Sequence, residues 1–551
     1  MDSLRIGNVV ELYDTTLRDG SQGESVAFSI KDKMLIISEL DQLGIHFIEG
    51  GYPGSNPKDV DFFQQVKSMQ LQNAQVVPFG STHHPRLKPI EDPNLIALLE
   101  TGMRTVTIFG KTWQLHARDV LRIGPEENLD LIESSIGLLV QRGCEVIYDA
   151  EHFFDGYYDN SKYAIETLKA AARAKAKCLV LCDTNGGRLP LEIQEAICAV
   201  KSEINLPLGI HAHNDSGVAV ANSVLSIQAG ATHVQGTFNG YGERCGNANL
   251  SAIIPNLKLK LGINCVEDEQ LHRLTNVSRL ISELANLPHD ERQAYVGRSA
   301  FAHKGGLHTD AIRKNRQTYE HIVPEAVGNE QRILVSEQAG RGTLIKKIER
   351  EYSGYDKDSP EIISLFNKLK EAENEGYQYE AAEGSFELLT SKIFNEHLSF
   401  FDLLGFRVIV EKSQNDSIHT EATIKLVDRE GNIVHTAAEG DGPVNALDNA
   451  LRKALEQFYP ILKEIHLVDY KVRVLDTKAG TGAKVRVLLE ASDGKNRWGT
   501  VGVSENIIQA SWDALTDSME YKLYKDQKPV DTDLLGSTMK STSEQKNNEE
   551  K

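Results

Sequence analysis

The chain has little of what several protein classes require. Its 551 residues hold six cysteines, at 144, 178, 182, 198, 245 and 265, and none falls in a paired motif. That spacing offers no disulfide framework, and in a chain of this size it fits reduced thiols that serve packing rather than chemistry. Basic residues are short too: 60 Lys plus Arg stand against 79 Asp plus Glu, a formal charge of −19. Broad nucleic-acid or anionic-membrane surfaces need the opposite balance, although a pocket for a small anion can still be locally positive. No apolar run approaches the roughly 20 residues needed to span a bilayer, and residues 1–10 lack the basic-then-apolar order of a secretory leader. The expectation is a cytoplasmic protein with no nucleic-acid or membrane partner. No glycine fingerprint follows the first strand-like run, which counts against an open dinucleotide-binding sheet.

What is present is enough for two or three domains, with 40% apolar and 25% charged residues. Eight β-type runs occupy 9–17, 46–53, 75–80, 105–110, 145–152, 178–184, 208–214 and 233–239. Helical spacing of apolar residues fills the gaps, as at 29–43 and 160–174. Eight such units in about 250 residues predict a (β/α)8 barrel. Barrel enzymes gather their chemistry at the C-terminal strand ends. Arg18, Asp19, Glu49, Glu151, Asp183, Thr184, His211 and His213 all fall there.

The expected domains are a barrel over 1–265, helical linker subdomains over 266–399, a C-terminal domain over 400–524 and a disordered polar tail over 525–551. The C-terminal domain contains a repeat. Strand 420–427, turn, strand 433–438 and helix 445–458 are followed by strand 484–490, turn, strand 498–503 and helix 505–518. Two copies of that order predict a pseudo-twofold α+β domain.

His211 and His213 sit two apart on a predicted strand, so both imidazoles can face the barrel mouth. Asp19 at the first strand end and Asn247 past the eighth could add oxygens. Two nitrogens and two oxygens suit Mn²⁺ or Mg²⁺ with room for substrate, and catalytic Zn²⁺ stays open. On the residues alone, two buried hydrogen-bonded histidines explain the pair about equally well. Glycines 50, 51 and 54 with Pro53 and Pro57 predict a tight loop over the mouth.

Three segments carry a family resemblance: Leu12-Tyr13-Asp14-Thr15-Thr16-Leu17-Arg18-Asp19-Gly20, His211-Ala212-His213-Asn214-Asp215 and Gly242-Glu243-Arg244-Cys245-Gly246-Asn247. They are similar to the signatures of the isopropylmalate synthase-like metallolyase superfamily. The segments 49–59 and 148–157 resemble its longer (R)-citramalate synthase branch, with Tyr52 and Ser21 as mild departures where Trp and Ala are commoner. The resemblance covers nearly the whole chain. It implies a Claisen condensation of acetyl-CoA with a 2-keto acid, on a metal held by Asp19, His211, His213 and Asn247. Arg18 would face the keto oxygen, and its other reading is a salt bridge to Glu49 or Glu151. Gln22, Glu49 and Thr184 would contact substrate, and Glu151 would orient water, base or substrate.

In the same resemblance His308, within Gly305-Gly306-Leu307-His308-Thr309-Asp310, is the general base, with Asp310 orienting it and Tyr319 assisting. The repeat resembles the synthases' allosteric domain. Its Gly440-Asp441-Gly442-Pro443 loop would take the pathway end product, isoleucine, in a homodimer. Isopropylmalate or homocitrate synthesis differs by pocket size alone, and a non-catalytic amino-acid sensor would not need the intact mouth residues. A carbon–carbon lyase would lack the repeat, and no Met-Lys-Met run marks a biotin-carrying carboxyltransferase.

Overall fold

The computed structural model describes residues 10–304, 308, 311–312, 314–333, 341–349, 351–394, 399–412, 418–475 and 482–527. Two compact units emerge, one of residues 1–302 with 317–332, the other of 303–316 with 333–551.

Eight parallel strands close the first unit into a barrel: β1 (Glu11–Asp14), β2 (Phe47–Gly51), β3 (Gln75–Ser81), β4 (Thr105–Lys111), β5 (Glu145–Glu151), β6 (Cys178–Asp183), β7 (Leu208–Ala212) and β8 (His233–Gly236), with β1 pairing to β8. The expected fold class is the observed one. Helices between strands start and stop on local signals. Ser29 and Asp32 form a capping box on the helix Ile30–Leu43, and Gly44, at φ 88°, ends it. Two apolar layers result. A large one lies between strands and helices. A smaller one of Tyr13, Phe47, Val77, Ile147, Cys178, Val180 and Cys182 fills the barrel interior. Burial pushes the Cys178 and Cys182 thiols up, in keeping with packing.

The strands are shorter than the apolar runs suggest. β1 stops at Asp14, so Arg18 and Asp19 stand on the turn beyond it. β7 stops at Ala212, and His213 instead bridges to Asn247. Gly50 and Gly51 belong to β2 rather than to a loop: a Cβ on Gly50 would strike the Phe62 ring, and one on Gly51 the Asp59 carboxylate.

Short strands β9 (Ala302–His303) and β10 (Arg332–Ile333) lie where the chain passes between units. The second unit carries two three-stranded antiparallel sheets. They are β11 (Phe401–Lys412), β12 (Ile418–Asp428) and β13 (Ile433–Gly440), then β14 (His466–Val474), β15 (Val485–Ser492) and β16 (Arg497–Ser504). The sequence pattern showed two strands per repeat and missed β11 and β14. Both are edge strands with exposed apolar residues, among them Leu404, Val410, Val468 and Val474, so neither alternates in polarity.

The helices Pro443–Leu455 and Ile507–Gln527 each back one sheet and share one core. The second helix runs past the expected end at 518, because Met519, Leu523 and Tyr524 keep packing while Lys522 pairs with Asp493. Lys525 to Gln527 are therefore helical, and the rest of the expected tail, 528–551, lies outside the described residues. Upstream, the helices Arg341–Ile348, Pro360–Glu375 and Glu383–Ile393 bury Leu344, Ile348, Ile362, Leu365, Leu369 and Phe386 against Val501 of β16. No described helix is long and apolar enough to cross a membrane.

Candidate metal centre at the barrel mouth

The turn after β1 is tied down before it delivers any chemistry. Asp14 accepts from the Thr16 backbone N–H at 3.0 Å and the Thr16 hydroxyl at 2.7 Å, and that hydroxyl accepts from Phe238 N at 2.9 Å. The chain therefore leaves β1 already fastened to the segment after β8. Burial of Asp14 pushes its pKa up to about 7 against the pull of these bonds.

Asp19 then meets the two histidines. His211 Nε2 lies 3.3 Å from Asp19 Oδ2 and 3.3 Å from His213 Nε2, while His213 Nε2 is 4.0 Å from the same oxygen. All three side chains are buried, and they form a group able to hold a metal ion, their donor atoms within 4.8 Å of one another. Asn247 closes the group: its Nδ2 donates to Asp19 Oδ2 at 2.7 Å and lies 3.4 Å from His211 Nε2. Its Oδ1 is buried with no partner, as is His213 Nδ1. Glycine makes this placement possible. A Cβ on Gly246, at φ 84°, would meet the Gly240 carbonyl at 1.9 Å, and one on Gly242 would meet Asn247 Oδ1 at 1.9 Å.

The electrostatics follow from this crowding. Burial alone would raise Asp19, but the Arg18 charge and, when its ring is protonated, the bond from His211 hold it well below the usual carboxylate range. Burial and the neighbouring His211 push His213 down to about 4, whereas Asp19 overcomes burial to raise His211. A carboxylate, two imidazole nitrogens and an orphaned amide oxygen fit a divalent cation better than they fit one another. Apolar burial cannot satisfy such a set.

Arg18 is held on three sides. Its Nε donates to Glu49 Oε1 at 2.5 Å, its NH1 to Asp19 Oδ1 at 3.1 Å, and its Cζ stacks 3.8 Å from the Phe79 ring centroid. Glu49 also accepts from the Tyr13 hydroxyl at 3.0 Å. Glu151, at the end of β5, pairs with Lys111. Thr184 Oγ1 accepts from His152 N at 2.9 Å, and the Thr184 carbonyl accepts from Arg244 NH2 at 2.8 Å. Gln22 is exposed on the 3-10 turn Gly20–Gln22.

The structure thus brings together Arg18, Asp19, Glu49, His211, His213 and Asn247, with Glu151 and Thr184 on neighbouring strand ends. His308 belongs to the second compact unit and is exposed, and Tyr319 belongs to the first, 48% exposed. Asp310 lies outside the described residues. The loop Gly440, Asp441, Gly442, Pro443 joins β13 to its helix, where Asp441 N donates to Asn445 Oδ1 at 3.1 Å. Two buried polar residues escaped the sequence reading. Gln235 of β8 has Oε1 2.8 Å from His211 Nδ1, and its Nε2 donates to Asp149 Oδ1 at 2.9 Å. No local signal marked them, since both strands carry other polar residues, Glu145 and Glu151 on β5 and His233 on β8.

Residues 9–281 match the HMGL-like family model, 295–376 the homocitrate synthase post-HMGL domain-like model, and 380–523 the LeuA allosteric (dimerisation) domain model. An (R)-citramalate synthase from Geobacter sulfurreducens is 55% identical over 94% of this chain and 98% of its own length. The chain belongs to the (R)-citramalate synthase family. A second (R)-citramalate synthase, from Aquifex aeolicus, is 53% identical over 94% of this chain and 98% of its own. A 2-isopropylmalate synthase from Methanocaldococcus jannaschii matches over 96% of this chain and 97% of its own, at 28% identity. Like its family, the chain is an enzyme of the acyltransferase type, and the cluster at the barrel mouth is its candidate active centre.

Proposed function

We propose that the chain condenses acetyl-CoA with pyruvate to give (R)-citramalate and free CoA. The supporting observation is the buried Asp19, His211 and His213 group in a chain 55% identical to an (R)-citramalate synthase along nearly its full length.

Asp19, His211, His213 and Asn247 would hold the cation, Asn247 after a half-turn of its amide that exchanges the Nδ2 facing Asp19 for the oxygen that otherwise has no partner. A bound Mn²⁺, Mg²⁺ or Zn²⁺ supplies Lewis-acid polarisation of the keto carbonyl. Arg18, clamped by Glu49 and Phe79, keeps N–H donors beyond the two it has engaged and directs them at the keto oxygen as negative charge develops. Gln22, Glu49 and Thr184 line the pyruvate site. By the motif match, His308 removes the acetyl methyl proton, with Asp310 orienting it and Tyr319 assisting. The carbanion attacks the keto carbon, one carbon–carbon bond forms, and the resulting alkoxide takes up a proton. Water placed by Glu151 then cleaves the thioester and releases the thiol of CoA.

By role the chain divides into the barrel (1–265), a helical connector (266–399), a regulatory domain that starts at 400 and runs past the expected 524 to the end of its last helix at Gln527, and the remaining polar tail of the expected 525–551. We assign isoleucine as the inhibitor, bound by the regulatory domain of a cytoplasmic homodimer at the Gly440–Pro443 loop, with the product feeding isoleucine synthesis. The match to a LeuA allosteric (dimerisation) domain and the apolar edge strands β11 and β14 support this reading.

The deciding experiment offers pyruvate, 2-oxobutanoate, 2-oxoisovalerate and 2-oxoglutarate with acetyl-CoA and Mn²⁺, following thiol release and identifying products. Pyruvate should give the highest kcat/KM. A preference for 2-oxoisovalerate or 2-oxoglutarate would move the chain to isopropylmalate or homocitrate synthesis, and no turnover with any of them would leave a sensor.

A further inference from the structure

Behind the metal group, inside the barrel, runs a line of three side chains that the condensation does not use directly. Asp149 of β5, Gln235 of β8 and His211 of β7 are all buried, Gln235 completely. The line reads Asp149 Oδ1, 2.9 Å to Gln235 Nε2, then Gln235 Oε1, 2.8 Å to His211 Nδ1. Each link has a direction. An amide Nε2 only donates and an amide Oε1 only accepts. Burial pushes Asp149 up to about 7, and in its ionised form it can only accept, so its Oδ1 takes the Nε2 hydrogen and Gln235 turns Oε1 to the imidazole. His211 must then carry its proton on Nδ1. In the neutral ring that leaves the lone pair on Nε2, the atom 3.3 Å from both Asp19 Oδ2 and His213 Nε2.

We propose that Gln235, oriented by Asp149, is a positioning residue that fixes the tautomer and ring plane of His211 so that Nε2 faces the cation site as an acceptor. The inference rests on the metal reading above. An amide free to rotate would offer Nε2 to His211 Nδ1 equally well. That would pull the lone pair to Nδ1 and put a proton on the ligand atom. Ionised Asp149 removes that alternative across the barrel bore. His213 has no such support: its Nδ1 is buried without a partner. His211 is therefore the pre-set ligand of the two, and His213 is the one whose orientation the cation completes.

The test measures Mn²⁺ affinity of the full-length, metal-stripped protein from the electron paramagnetic resonance signal of free Mn²⁺, independently of turnover. The wild type should bind and His213→Ala should not. If the wild type fails to bind, or His213→Ala binds equally well, the metal reading itself falls. With those controls as expected, Gln235→Leu should weaken Mn²⁺ by about 10–100-fold, the range for losing an outer-shell partner. The double variant Asp149→Asn/Gln235→Glu reverses the pair: the new amide donates to the new carboxylate, which still accepts from His211 Nδ1. It should restore affinity to within about threefold of wild type, a rescue that a general packing role would not produce. A folded Gln235→Leu variant with wild-type affinity overturns the proposal. If that variant does not fold, the double variant decides alone, and a tenfold loss in it overturns the proposal.

Discussion

Arg18, partly exposed, and Glu49, fully buried, form a directional ion pair in which Nε donates to Oε1 at 2.5 Å. A guanidinium held this way keeps its remaining donors aimed along one direction. An ammonium on a flexible stem could reach Glu49 but would lose the fork and the stacking on Phe79. Arg18→Lys should therefore lower kcat by about 10²–10³-fold, as for loss of an oxyanion donor, while Mn²⁺ affinity changes only a few-fold. Steady-state kinetics beside Mn²⁺ titration separates the two effects. An unchanged kcat would remove Arg18 from the chemistry.

His213→Ala should abolish turnover and leave the circular dichroism spectrum of the metal-free protein unchanged. In the wild type, chelation should stop turnover, and Mn²⁺ or Mg²⁺ should restore it. Divalent cation at 100 times its Kd should also raise the barrel's unfolding free energy by about 2.7 kcal/mol, and His213→Ala should lose that increment. Calorimetry with and without Mn²⁺ checks both.

Asp14 gives the barrel a pH-dependent stability of known sign. Burial raises its pKa from the ordinary 3.8 to about 7. The folded state then binds the proton more tightly than the unfolded chain. This stability is fully present below about pH 4 and is lost as pH rises through 7. Asp14→Asn cannot titrate. Its stability relative to wild type should shift in the variant's favour between pH 4.5 and 8, by up to ~3 kcal/mol at 1.36 kcal/mol per pH unit, whatever constant offset the altered Thr16 bonds introduce. Thermal melts of both proteins across that range measure the shift, and a flat difference would place the Asp14 pKa near its unfolded value.

Asp441→Ala, in the loop entering the helix Pro443–Leu455, should raise the isoleucine concentration for half-inhibition at least about tenfold, the loss of one charged hydrogen bond to an amino-acid ligand. Uninhibited kcat should not change. Wild-type activity insensitive to isoleucine would instead overturn the choice of effector.

The barrel was legible in the sequence because eight apolar runs alternate with helical periodicity, and the two imidazoles converge as their i, i+2 spacing implied. Strand ends were not legible. Asp14 and Thr16 look like strand continuation in one dimension, yet their side chains bond each other and turn the chain. Gln235 and Asp149 escaped because no local pattern links residues 86 apart, and only closure of the barrel puts them 2.9 Å from each other. β11 and β14 escaped for the opposite reason: apolar residues on both faces erase the period on which strand detection depends. The segment holding His308 offered a motif and nothing else, since a base is defined by the substrate it meets.

Val501 of β16 packs among helices that precede it by more than a hundred residues in the chain. Anyone wishing to transplant a different regulatory module onto this barrel cannot cut at 400, because the blade would pass through one shared interior and expose both halves. The workable junction lies ahead of Arg341, so that the connector helices travel with the sheets as a single cassette.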